Sequence, residues 1–473
     1  MKKQLIFPME EKYQEYLVDE SKFTGEAQSI SFPENEQEVL AITKEMAEAG
    51  VPVTIQSGKT GIVGGAVPLG GHIMNLSRMK ACVSSGVRED GVCWIAVEPG
   101  INLTELNGEI QKQFRKTPVF WPPQPTETSA AVGGILASNA KGINACHYGD
   151  SRQYVEKIHM VQIDGTVREI RRGEKIQKIG EEVCDELDLI LGGEGIYGII
   201  TQATLLLVEK PASIWGISFF FEEKEGAFAF AEGAKKIEDR KDAWVNAAEY
   251  LDRTSINLIE QHKPVMTKIK ELPDIDSQYI AMCYLELAGA EDGIEELAGD
   301  FMELAVACGS DPDKAWAVSG DSEIEKMRAF RHAAAETANL FIEEKRRNEP
   351  RITKLGTDIA QNRTCFGEMV HMYEDSLKKE GLKGCIFGHL LENHLHVNIL
   401  SENITQYEKG KKLTETWAKE AFALGGCAAV EHGIGKLKKS FCGDLFSPER
   451  KEAMLQEKKL CDPAGLCNQG NIF

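Results

Sequence analysis

The sequence predicts an α+β protein, and three observations carry that reading. Short apolar runs empty into glycine turns through residues 1–212, and Pro211 then marks a change to strands separated by long helices over 213–410. Residues 411–473 carry two helix-forming stretches on either side of a Gly425-Gly426 break. Two strand-and-helix units after Pro211 suggest an antiparallel sheet carrying helices on one face. With 473 residues and 42% hydrophobic content, the chain is long enough to bury a generous core in two or three domains.

Each element has its own local reason. Val39, Ile42 and Met46 recur at helical spacing, while Val51–Ile55 and Trp94–Val97 are short apolar runs of strand character. Pro122-Pro123-Gln124-Pro125 fixes its backbone and removes donors, so the stretch to Ser129 is a rigid loop. It leads into Ala131–Gly142, whose small side chains leave room for something flat or for a close helix–sheet contact; these letters alone do not choose. Leu187–Leu191 is strand-like, and Ile199–Val208, rich in β-branched residues, is a strand. Beyond Pro211 the expected order is strand Ile214–Phe221, helix Ala227–Ile237, strand Tyr279–Leu285 and helix Ile294–Ala307. Helices near Leu413–Leu424 and Pro448–Leu460 close the chain.

Composition removes several function classes. With 54 basic against 74 acidic residues the net charge is −20, a surface that repels polyanions, so nucleic acid is not an expected partner. The one basic cluster, Lys345-Arg346-Arg347, is short enough to be a solvated loop. The start, Met1–Pro8, has too few apolar residues for a signal peptide, and no window approaches the ~18 apolar residues of a transmembrane segment. Twelve cysteines without any C-x-x-C pair fit reduced thiols and a cytoplasmic location.

Two glycine clusters bear on cofactors. Gln56-Ser57-Gly58-Lys59-Thr60-Gly61-Ile62-Val63-Gly64-Gly65 follows the run Val51–Ile55, so several backbone N–H groups can converge on one phosphate. An ATP-binding P-loop would need glycine where Val53 stands. Gly193-Glu194-Gly195-Ile196-Tyr197-Gly198 matches G-x-G-x-x-G, but a nicotinamide fingerprint must open a helix, and a strand pattern follows here.

The residues for chemistry lie later. His394-Leu395-His396-Val397-Asn398-Ile399 alternates strictly, placing His394, His396 and Asn398 on one face of a strand, with His389 across a turn. Glu431-His432 follows 35 residues after His396. Two imidazoles and a carboxylate suit a divalent metal that keeps open positions, and a polar strand face in water plus an unrelated loop accounts for the same letters.

Taken in order, the loop Gly58–Pro68, Pro123-Gln124-Pro125-Thr126, Val132-Gly133-Gly134, Ser138–Gly142, His147-Tyr148-Gly149, Gly193–Thr201, Gly388-His389, His396-Val397-Asn398, Glu431–Lys436 and Cys461–Gly470 resemble the FAD-linked 2-hydroxy-acid dehydrogenases of the vanillyl-alcohol-oxidase superfamily. That group contains D-lactate dehydrogenases and the glycolate oxidase FAD subunit. The resemblance runs over almost the whole chain. It implies a PCMH-type FAD-binding domain, an α+β substrate (cap) domain, and a C-terminal segment returning to the FAD domain. It makes Ser57, Gly58, Lys59, Thr60 and Gly61 the pyrophosphate loop, Gly133, Gly134, Ser138, Asn139, Tyr148, Gly149, Glu194 and Ile200 the lining of the FAD slot, and Ile62 and Asn468 further cofactor-binding residues. It makes His389, His396 and Glu431 ligands of Zn, Mn or Fe, His432 the base, and Arg331 the clamp for a substrate carboxylate beside Asn398.

The implied activity is oxidation of a D-2-hydroxy acid, D-lactate or a near relative, by hydride transfer to flavin N5; an oxidase using dioxygen, or an electron-transfer subunit without its own substrate, are the alternatives. The common Gly-His-x-Gly-Asp-Gly-Asn-x-His appears as Gly388-His389-Leu390-Leu391-Glu392-Asn393-His394-Leu395-His396, so both inner glycines are replaced. An Asn-His-x-His ending resembles dehydrogenases that work with an electron-transferring flavoprotein. Covalent attachment in the superfamily uses a first-loop histidine, and none lies between Val51 and Gly71, so the FAD is expected to be non-covalent.

Overall fold

The computed structural model describes residues 3–361, 364–440 and 445–473. They form two compact units. One comprises 1–142, 149–210 and 431–473, and the other 143–148 and 211–430.

In the first unit, strand Val53–Gln56 pairs in parallel with His72–Asn75, which pairs in parallel with Ser29–Ser31. Helix Glu36–Ala49 starts at Asn35, whose side chain accepts from the Glu38 N–H, and ends at Gly50 in the left-handed region. Its buried face, Val39, Ile42 and Met46, packs with Val53, Met74 and Val161. A second sheet of five strands has the order Cys82–Val87, Cys93–Val97, Ile199–Leu206, Val155–Val161, Val167–Arg171, all antiparallel. Its middle strand is the one that follows Gly193–Gly198, so this G-x-G-x-x-G opens a strand. Leu187–Leu191, read as a strand, is instead the short helix Glu186–Ile190, because Asp185 accepts from the Leu187 N–H and caps its start.

The second unit is built on seven antiparallel strands, ordered Trp316–Ser319, Ser213–Phe221, Ala281–Gly289, Ala243–Asp252, Gly384–His389, His394–Ile399, Ile359–Ala360. Helices cover both faces rather than one. Phe219 and Phe221 pack on Phe230 of helix Lys224–Ala234, while Phe220 faces the cluster containing Phe330 of the 26-residue helix Asp321–Arg346. Three consecutive phenylalanines put apolar groups on both sides of one strand, and each side needs its own cover. Helix Ile404–Ala423, expected within the C-terminal segment, belongs to this unit: Trp417 is buried, its ring 4.9 Å from Tyr373 and its Nε1–H donating to Ser376 at 2.9 Å. The chain leaves the unit after Val430, not at 411. No helix among the described residues is long and apolar enough to cross a membrane.

Candidate functional site

The first unit contains the glycine loop. None of the peptide N–H groups of residues 58–65 donates to a group among the described residues, which leaves a row of donors for an anion. A Cβ at Gly61 or at Gly134 would meet nothing within 4 Å, so both face open space. Gly133 is different, since a Cβ there would sit 2.6 Å from Pro99 Cβ; its role is close packing. Lys59 has φ +58° and turns away from its own loop, its ammonium donating to Glu15 O at 2.5 Å and lying 4.5 Å over the Tyr16 ring. Ser57 donates to Pro99 O at 3.4 Å. A loop of unpaired donors beside open space fits the diphosphate of FAD.

Glu194 and Asn468 organise the surroundings of that loop. Asn468 accepts from the Ile55 N–H at 2.6 Å and donates to Glu194 O at 2.6 Å, tying the start of the loop to the glycine turn at 193–198. The Glu194 carboxylate accepts from Ile434 N–H at 2.5 Å and from Gly435 N–H at 2.8 Å. Burial pushes this carboxyl above the usual range, against the pull of those two N–H groups. Glu194 therefore grips the backbone two residues beyond His432. Asn139, in the left-handed region at the end of helix Val132–Ser138, accepts from Ser151 Oγ and Arg152 N–H, each at 3.1 Å, and Gly149 has φ +74°. Ile200 lies on the central strand opposite Met160. Tyr148 belongs to the second unit, where its ring lies 4.6 Å from His147, itself stacked 4.5 Å from Trp244.

Charged groups line one face of the second unit's sheet. Strand register sets Glu249 opposite His389 and His389 opposite His394, and His396 follows two residues later on the same face. Helix Asp321–Arg346 lowers Arg331 onto this row, its Nε–H donating to Glu249, with its guanidinium carbon 5.0 Å from the Phe387 ring centre. The terminal nitrogens of Arg331 make no hydrogen bond among the described residues. Burial alone would raise the Glu249 carboxyl, but the Arg331 guanidinium and the His389 imidazole outweigh it and hold it at about 2. Asn398 shares the face, close against Gly356.

Each of the three imidazoles has one nitrogen engaged by an acceptor. His389 Nδ1 is 2.9 Å from Glu249 Oε1, His394 Nε2 is 2.9 Å from Asp358 Oδ1, and His396 Nδ1 donates to Thr357 O at 3.2 Å. Such partners fix which ring nitrogen carries the proton. The ligand atoms of His389, His394 and His396 lie within 4.8 Å of one another, and the donor set fits a divalent cation of the zinc or iron type. Glu431 and His432 begin the last segment of the first unit, His432 Nε2 lying 3.5 Å from Glu431 Oε1.

Residues 27–171 match the FAD binding domain, and residues 225–472 match the FAD linked oxidases' C-terminal domain. The chain belongs to the FAD-linked oxidase family. Among relatives of this family member, a D-lactate dehydrogenase of Anaerostipes hadrus is 26% identical, aligned over 97% of this chain and 92% of its own. The glycolate oxidase subunit GlcD of Bacillus subtilis is 25% identical over 94% of this chain and 88% of its own. The 4-ethylphenol oxidase of Gulosibacter chungangensis superposes with a TM-score of 0.73 at 15% identity, covering 99% of this chain and 94% of that one, and so shares the fold.

Sequence reasoning missed Glu249 and Asp358. The letters held one usable signal: Ala247-Ala248-Glu249-Tyr250-Leu251 carries a lone acid inside an apolar strand, which is costly to bury without a partner.

Proposed function

We propose that this FAD-linked oxidoreductase oxidises a D-2-hydroxy acid, D-lactate or a near relative, to the 2-oxo acid, passing the electrons on to a separate redox acceptor such as an electron-transferring flavoprotein. The observation that carries the reading is Arg331: a buried arginine held through Nε by Glu249, with its terminal nitrogens unspent, beside three oriented imidazoles. A planar fork of that kind binds a small carboxylate in two contacts and fixes which face of C2 is presented.

The glycine loop and Glu194 with its neighbours would hold FAD, which when bound supplies the two-electron acceptor. His389, His396 and Glu431 would hold a divalent cation, which when bound supplies Lewis acidity next to the substrate hydroxyl. His432 accepts the hydroxyl proton on a ring nitrogen, Glu431 orients that ring, and Arg331 keeps the carboxylate from moving as the proton leaves. The relatives' names, D-lactate dehydrogenase and glycolate oxidase subunit, support the substrate class.

The test is product formation with an artificial electron acceptor and a panel of D- and L-2-hydroxy acids. The expected result is 2-oxo acid from one or more D-acids and little from their L-isomers. Absence of 2-oxo acid from every D-acid would overturn the proposal.

A further inference from the structure

The ligand set just proposed uses two histidines of the second unit, but the unit holds three within reach of one ion. We propose that His394 is a third imidazole ligand of the same metal site, with the buried carboxylate of Asp358 as its orienting partner; this rests on the metal reading above. His394 stands opposite His389 in the strand register and two residues from His396 on the same face, so the hairpin itself brings the three rings together. Ring centres are 5.0 Å apart for His389 and His394 and 4.6 Å for His394 and His396, against 5.8 Å for His389 and His396. His394 is thus nearer to each of the two proposed histidine ligands than they are to one another.

The outer partners support the same assignment. Asp358 takes the proton side of His394 at Nε2, as Glu249 does for His389 and Thr357 O for His396, so all three rings have the arrangement of an oriented metal ligand. The bland alternative is a core histidine satisfied by an aspartate. That alternative explains one ring but not why three neighbouring rings each spend one nitrogen on an outer acceptor. In the common family motif asparagine stands where this chain has His394, so the extra nitrogen is a feature of this chain. Three imidazoles shift preference towards zinc, iron or cobalt and away from magnesium or calcium.

The test uses the full chain with zinc. X-ray absorption at the zinc edge of the unaltered protein counts imidazole ligands, and competition against a chelating dye measures affinity for His394→Asn, Asp358→Asn and His389→Asn, each checked for flavin content. Three imidazoles are expected, with affinity about 10–100-fold lower for Asp358→Asn and lower still for His394→Asn. Two imidazoles, together with a His394→Asn affinity within a few-fold of wild type while His389→Asn loses zinc, would overturn this proposal alone. Wild-type affinity in His389→Asn as well would remove the metal reading, and this proposal with it. Should the His394 variant fail to fold, the ligand count on the unaltered protein decides.

Discussion

His432 lies beside Glu431, 3.5 Å away, and partly open on its side chain, which is where a proton acceptor must be if it is to meet a substrate hydroxyl. His432→Gln should keep FAD and near wild-type substrate binding yet slow flavin reduction by about 10²–10⁴-fold, the usual contribution of a positioned base. Single-turnover reduction isolates that step; a rate within a few-fold of wild type would make His432 only a support for Glu431. At this scale the resemblance offered His389, His396, Arg331 and Glu431 as candidates, because motifs in a fixed order carry residue types with them. They did not show that Arg331 is buried, or that Glu249 and Asp358 hold its neighbours, since which residue stands opposite His389 or beside His394 depends on register and loop path that no local pattern contains.

Among the elements, the turn at 193–198 holds the last segment of the first unit in place. Glu194 receives the N–H groups of Ile434 and Gly435, so it fixes the backbone that carries His432. Glu194→Ala would leave two backbone donors without their acceptor at about 1–3 kcal/mol each, and about tenfold faster amide exchange at Ile434 and Gly435 is expected for every 1.4 kcal/mol lost. Unchanged exchange at both amides would show that the segment is held by other contacts. Most elements were legible from period and punctuation: strand His394–Ile399 and helix Pro448–Cys461 lie within a residue of their expected places. Leu187–Leu191 was not, because five apolar-rich residues suit either state and the Asp185 cap decided. Helices on both faces of the second sheet could have been read from Phe219-Phe220-Phe221, which is apolar on every side.

For the whole molecule, the first loop holds no histidine, so the flavin should be held without a covalent bond. Acid precipitation of the purified yellow protein should release all of it into the supernatant as FAD; flavin remaining with the pellet, or identified as FMN, would contradict the reading of the first loop. The two-unit organisation was visible at Pro211, but the late crossing at Glu431 was not, because helix Ile404–Ala423 is assigned by the burial of Trp417 rather than by any break in the sequence. Oxidation of a D-2-hydroxy acid is decided by anaerobic mixing of the flavin-loaded protein with single enantiomers of 2-hydroxy acids, followed at the visible flavin band with no other acceptor present. A D-acid is expected to bleach the flavin and yield one 2-oxo acid per flavin while its L-isomer leaves it yellow. A flavin that stays oxidised with every D-acid, or is bleached instead by the L-isomers, would contradict it.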